Sequence, residues 1–510
     1  MSVSARPASV PPLEGGARVL ATVSLALATL MNVLDTTIAN VSIPTIAGDM
    51  GVSASQGTWV ITSFAVANAI SVPLTGWLAQ RFGQVRVFVC STLLFVLASW
   101  LCGLSRSLDA LIAFRVVQGL VAGPMIPLSQ SLLLQCYPAA KSGMALAVWS
   151  MTTTVAPVIG PILGGWISDN IAWGWIFYIN IPTGLLAAGM SWMLLRHREL
   201  PTARLPIDAV GLALLVIWVG AMQLMLDRGK ELDWFGSTEI VTLAIVAVVG
   251  FCFFLAWELT EKHPIVNLNL FRRRSFSFGT LSLALGYGVF FANIVVQPLW
   301  MQQYMGYTAT WAGFAMAPAG VMAILFMPFV GKSLGRVDPR VFAALSFFIL
   351  ALACFMRAGF NTDMTFFNMV TPQIIQGIAM AGFFVPLSAI VLSGLDPSQV
   401  PAAAGLSNFV RITAGAFGSS LSVTLWENRA ALHHAQLTEA IAHSRPAARM
   451  ALDELQRQGM GQEQALTAIN RIIDTQSATL SIVEFFWASG GVFLVLILLL
   501  GFARPGRTHR

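Results

Sequence analysis

Asp35 is the first residue whose type and position suggest chemistry. It sits in Leu34-Asp35-Thr36-Thr37-Ile38-Ala39-Asn40, roughly midway along an apolar run. A carboxylate at the middle of a membrane helix costs about 2.5–3.5 kcal/mol on insertion scales, so such acids usually carry a function. Desolvation favours the neutral form, which suits a group that takes a proton from one side and gives it up to the other. The alternative is a carboxylate bonded to neighbouring hydroxyls. Arg115 opens Arg115-Val116-Val117-Gln118-Gly119 in another apolar run. A permanently charged guanidinium at that depth needs a partner, either Asp35 or backbone carbonyls. If the two side chains pair, the cation favours ionised Asp35, and changing their separation changes its proton affinity. Arg411, near Asn408, poses the same question. Asn40, Gln118, Asn408 and Arg411 make a candidate secondary polar site.

Two glycine-rich segments suit movement or close packing. In Gly160-Pro161-Ile162-Leu163-Gly164-Gly165 the proline removes a helix hydrogen bond and the glycines permit close helix approach. That segment reads as a bending point or as a packing surface. Gly76-Trp77-Leu78-Ala79-Gln80-Arg81-Phe82-Gly83-Gln84-Val85-Arg86 joins two apolar runs. Its glycines suit a tight turn, and its arginines suit an anionic membrane face. Other chemistries find no residues. Gly331-Lys332-Ser333 resembles the end of a phosphate loop, but Phe326 stands where that motif requires glycine. The five cysteines lie in apolar runs without a CxxC pair, and the six histidines show no HExxH and fall outside the apolar runs. No catalytic residue, metal or cofactor follows, so a membrane-embedded enzyme lacks its machinery. A passive channel would not require a lone buried acid.

The elements that position these residues follow from composition. Hydrophobic residues make up 56% of the 510, and charged residues only 10%, against about 25% charged in soluble domains. Hydrocarbon must therefore be much of the solvent. The net charge of +6 is spread in short clusters between apolar runs rather than in a patch for nucleic acid. A span needs about 20 apolar residues and must satisfy its own backbone, so the runs are helices. Fourteen spans are expected: 18–47, 57–78, 85–104, 108–134, 142–168, 174–195, 207–226, 238–258, 276–303, 309–333, 340–358, 366–394, 402–426 and 481–503. Eighteen basic residues fall on one side against four in the short loops of the other, Arg357 among the four. This places both termini in the cytoplasm. The polar segment 1–17 is an N-terminal tail, and 504–510 a C-terminal one.

The chain also repeats. Thr58-Trp59 recurs as Thr310-Trp311, Gln118-Gly119 as Gln376-Gly377, and Pro127-Leu128-Ser129 as Pro386-Leu387-Ser388, with offsets drifting from 252 to 259. Residues 18–195 and 276–503 are thus two six-helix halves, with two extra helices inserted in 196–275. Parallel halves around a midplane cavity are a transporter architecture. The second-half span 276–303 has no acid, and Tyr287 lies at the expected offset from Asp35. Residues 427–480 break the pattern as an amphipathic extramembrane insertion. Ala465, Ile469, Ile472 and Ile473 form its apolar stripe. It is either a hairpin packed on its own bundle or a docking surface.

Together these residues resemble the major facilitator superfamily, in its fourteen-helix drug:proton antiporter branch, and within it the EmrB-type multidrug exporters. The likeness runs nearly end to end. It includes the acid-bearing first span, the loop at 76–86, Arg115 with Gln118-Gly119, and the signature at 160–165. Trp173-Gly174-Trp175-Ile176-Phe177-Tyr178-Ile179-Asn180-Ile181-Pro182 and Leu226-Asp227-Arg228-Gly229 also look like hallmarks of the branch. The resemblance implies an all-α fold, proton coupling at Asp35 and Arg115, and a hinge at Gly160, Pro161, Gly164 and Gly165. It also implies a conformational loop carrying Gly76, Gln80, Arg81, Gly83 and Arg86. The cargo would be hydrophobic small molecules exchanged for protons across a bacterial inner membrane. The partners would be a periplasmic adaptor and an outer-membrane channel. A dedicated metabolite or fatty-acid transporter is the alternative on the same fold. Two positions depart from the pattern: Gln80 replaces an acidic residue, and Ala156 replaces the glycine that opens the 160–165 signature.

Overall fold

The computed structural model describes residues 11–203, 206–334, 336–440 and 446–502. Arg6, Arg204, Arg445, Arg504, Arg507 and Arg510 of the charge count lie outside them. Every regular element among the described residues is helical. The first half comprises α1 (Gly15–Asp49), α2 (Trp59–Phe82), α3 (Gln84–Gly103), α4 (Leu108–Cys136), α5 (Ser142–Asn170) and α6 (Trp175–Arg198). Two helices follow, α7 (Ala209–Arg228) and α8 (Thr238–Thr260). The second half comprises α9 (Arg274–Gln303), α10 (Ala309–Ser333), α11 (Pro339–Arg357), α12 (Phe366–Val391) and α13 (Val400–Ala440), then the short α14 (Pro446–Arg457) and finally α15 (Gln462–Leu500).

Twelve of these helices are apolar enough to cross a membrane by length and composition alone. The other two expected spans are α5 and α13, long helices that carry small and polar residues to the junction of the halves. Each half has its own apolar core, around Phe88, Phe95 and Leu128 in the first and Phe347, Phe383 and Phe493 in the second. A third core joins α7 and α8 to α2 and α13 through Trp218, Met222, Ile70 and Phe409. The inserted pair therefore buttresses one seam between the halves.

Helix breaks occur where another chain segment repairs them. α2 is interrupted by a 3-10 turn at Val72–Leu74, and α4 breaks at Gly123-Pro124. Pro124 has no N–H for the carbonyl of Leu120, four residues earlier. The hydroxyl of Ser71 donates to that carbonyl instead. A Cβ on Gly123 would lie 2.7 Å from Val72 N, so only glycine lets the two breaks meet.

The halves close on each other at one end. A Cβ on Gly143 of α5 would lie 2.5 Å from the carbonyl oxygen of Gly331 on α10, and one on Gly76 of α2 would lie 2.6 Å from Ala402 Cβ on α13. Leu13 and Phe502, near the two limits of the described residues, share this end. Leu13 N donates to Cys136 O just before Gly143, and Phe502 stacks on Phe278 at the start of α9. The cavity between the halves at this level is lined by Gln130, Trp149, Leu283, Phe384, Asn408 and Arg411. It is closed down to about 10 Å³, the room of a single water.

Segment 427–480 is helical across its described residues. α13 and α15 continue out of the bundle without interruption, and α14 lies between their tips. Arg429 clamps Glu484 with two 2.7 Å bonds, His434 meets Asp474 at 3.3 Å, and Trp426 Nε1 donates to Ala478 O. Of the expected stripe, Ala465 and Ile473 are buried, whereas Ile472 faces outward.

Candidate functional site

Four helices of the first half converge on Asp35. Positions i and i+3 share one face of a helix, so α4 presents Arg115 and Gln118 together. Arg115 Nη1 donates to Asp35 Oδ2 at 2.5 Å and to Gln118 Oε1 at 2.7 Å. Gln118 Nε2 donates to Asp35 Oδ1 at 3.1 Å. From α6, Asn180 Nδ2 donates to the same oxygen at 2.8 Å, and Ser99 of α3 accepts from both amides. The guanidinium is held further by Val60 O on α2 and by the Phe64 ring, 4.2 Å from its carbon. Asp35 is 1% exposed and Arg115 0%. Every partner of the carboxylate is an N–H donor, an arrangement that fits its ionised form.

Asn180 and Ser99 were not singled out by the sequence. Asn180 lies within the Trp173–Pro182 hallmark, so the signal was present without a role attached to it. The loop holds a second missed group. Glu199 takes hydrogen bonds from Val85 N and Arg86 N, at 3.0 and 3.2 Å, capping the start of α3. A Cβ on Gly83, whose φ is +97°, would lie 2.4 Å from Glu199 Cδ. A carboxylate thus serves the loop from beyond α6, while Gln80 offers its backbone carbonyl to Ala203 N. Arg81 lies over the Trp77 and Phe82 rings.

Gly160 and Gly164 of α5 pack on α1 one turn from Asp35. Cβ atoms there would lie 2.0 Å from Thr37 Oγ1 and 2.7 Å from Ile38 O. Movement of α5 is therefore felt at the acid's own turn. Gly165 is half-buried on the same helix, and the side chain of Pro161 is outside the described residues.

The secondary polar residues separate. Gln118 belongs to the Asp35 cluster, and Asn40 is exposed beyond it. Asn408 and Arg411 form another group at the junction of the halves. Arg411 Nη2 donates to Asn408 Oδ1 at 2.8 Å, its guanidinium sits 4.7 Å from the Tyr287 ring, and Asn408 reaches Gln130 of the first half at 3.3 Å.

The second half repeats the scaffold without the acid. Gln373 matches Arg115 at the offset of the Gln-Gly pair, and donates to Gln297 Oε1 at 2.9 Å. Arg357 is not a loop residue. It ends α11 at 1% exposure and donates to Gln376 Oε1 at 2.5 Å, because the bundle rather than water surrounds that helix end. No cluster of His, Cys, Asp and Glu among the described residues is arranged to hold a metal.

Two bundles with a buried acid–guanidinium pair in one of them define a polytopic membrane transporter. Residues 25–419 match the family model described as Major Facilitator Superfamily, and the chain belongs to that family. It is 54% identical to the multidrug export protein EmrB of Escherichia coli K12 over 97% of each chain. It is 48% identical to the fatty acid resistance protein FarB of Neisseria gonorrhoeae, over 97% of this chain and 98% of that one. Among solved structures, the proton:xylose symporter XylE aligns with TM-score 0.58 at 14% identity, covering 94% of each chain. That likeness concerns the fold.

Proposed function

We propose that this protein is a proton-coupled antiporter that exports hydrophobic drugs and toxic compounds across the bacterial inner membrane. The observation that carries the reading is the buried Asp35 carboxylate, bonded to Arg115, Gln118 and Asn180 in a chain 54% identical to an EmrB exporter. Protonating Asp35 removes the attraction for Arg115, and the guanidinium, still charged, must then find other acceptors. α4 shifts against α1, and α5 transmits the shift through Gly160 and Gly164. With both termini cytoplasmic, as the basic-residue bias favours, the closed end faces the cytoplasm. One charge crossing 100 mV supplies about 2.3 kcal/mol, roughly a fifty-fold gradient. The extended tips of α13, α14 and α15 lie at the opposite end and are the docking surface for a periplasmic adaptor that continues to an outer-membrane channel. Deleting 430–475 abolishes adaptor capture while membrane insertion persists; unchanged capture removes the docking role.

The test of the main reading is drug uptake into inverted vesicles under an imposed pH gradient. Asp35→Asn loses gradient-driven uptake; full uptake by the variant contradicts the proposal. One observation favours a second cargo class. Arg411 borders the cavity between the halves, and no described carboxylate pairs with it. An anionic amphiphile would supply that charge, in line with the likeness to FarB.

A further inference from the structure

A second pair of acids lies away from Asp35, where the inserted helices meet. Asp208 caps the start of α7, accepting from Gly211 N at 2.8 Å, and Trp257 Nε1 of α8 donates to both its oxygens at 3.0 Å. Glu258, the next residue of α8, is 3% exposed. Its Oε2 accepts from Val266 N at 3.1 Å, and its Oε1 is buried with no protein partner. That oxygen and Asp208 both crowd the space beside Gly211. A Cβ on Gly211 would lie 2.2 Å from Asp208 Oδ2 and 2.6 Å from Glu258 Oε1. The two oxygens are therefore no further apart than those two reaches laid end to end.

We propose that Asp208 and Glu258 share one proton, forming a second protonation site that clips together the tethers of the two halves. A buried carboxylate oxygen without a donor is costly, and two carboxylates this close cannot both ionise cheaply. A proton on one carboxyl resolves both problems, since an O–H donates to the other acid. A metal cation fits poorly, because the remaining groups around the pair are the N–H donors of Gly211, Trp257, Val266 and Ile265. The charged groups facing Glu258 are Asp208 and Glu261, both acidic. Lys262 and His263 follow in the exposed loop, Arg272 is exposed, and Arg273 is engaged with Gly394 O and Gln399.

The position gives the proton its consequence. The segment before Asp208 is tied to the first half through Ala203 N to Gln80 O and through Trp77 Nε1 to Pro206 O. The loop after Glu258 is tied to the second half through Arg273, and its Ile265, Val266 and Leu270 are buried with Phe276 of α9 and Val391 of α12. The pair stands where the two tethers touch, at the end where the halves are closed. Releasing its proton places two like charges across that contact.

The test uses the full-length purified protein. A proton held by the folded chain and absent from the unfolded one contributes stability that is present at low pH and lost as pH rises. Wild type is expected to show a carboxylic-acid C=O infrared band that disappears as pH rises, with a parallel fall in thermal midpoint. Glu258→Gln, which still offers a donor to Asp208, removes that band and flattens the fall. Asp208→Asn, an independent variant, also removes it. Asp35→Asn leaves it in place, which separates this site from the coupling acid. A band unchanged in Glu258→Gln and Asp208→Asn, or identical pH slopes in wild type and both variants, overturns the proposal. Should Glu258→Gln not fold, Asp208→Asn decides by the same two readouts.

Discussion

In the first half Arg115 meets an acid, whereas at the matching turn of the second half Gln373 meets Gln297. The helices around both sites pack alike. Gly164 sits on Ile38 of α1, and Gly418 sits on Gly288 of α9 with similarly little room for a Cβ. The difference is charge. The first half satisfies a carboxylate from three side chains, whereas the second links neutral amides and leaves Gln297 Nε2, Gln373 Oε1 and Arg357 Nε without protein partners. A duplicated scaffold thus keeps its packing rule in both copies and a buried acid in one.

Breaking the first cluster is expected to have the largest effect. Arg115→Met leaves Asp35 buried without its cation and costs about 3–5 kcal/mol, read by thermal unfolding in detergent. Adding Asp35→Asn recovers most of that loss and does not restore proton-driven transport. A single variant as stable as wild type would show that the pair does not hold the half together. Next in size come the glycine contacts. Gly164→Ala and Gly418→Ala each overpack a helix crossing by about 1–3 kcal/mol. The packing rule predicts similar losses, whereas only Gly164→Ala alters the pH dependence of transport. Smaller still is Gln373→Leu combined with Gln297→Leu. Replacing both partners of a neutral bond changes stability by roughly 1 kcal/mol or less and leaves the drug–proton stoichiometry unchanged. The smallest is Arg357→Met, within about 1 kcal/mol of wild type or slightly stabilising, since no acid is orphaned by the change.

Sequence made the halves legible because apolar length, charge bias and a drifting repeat all act over tens of residues. Asp35 and Arg115 were legible for a related reason: an ionised side chain in an apolar run stands out against its neighbours. Their partners were harder. Asn180 lies in the first turns of a span, where any polar residue looks interfacial, and Ser99 is one hydroxyl among several. Only the convergence of α3, α4 and α6 selects them. Arg357 misled because it borders a loop in sequence while the bundle buries it in space. Glu199 serves a loop more than a hundred residues away, and local spacing carries no trace of that. The prolonged α13 and α15 read as an insertion because the polar faces of their outer turns hide the continuity of the backbone.

The most direct test of the central claim is proton exchange on drug binding. Purified protein in weakly buffered solution with a pH indicator is mixed with a hydrophobic drug. Wild type is expected to change its bound protons, and Asp35→Asn to bind the drug without any change. An equal proton signal from Asp35→Asn would contradict the account.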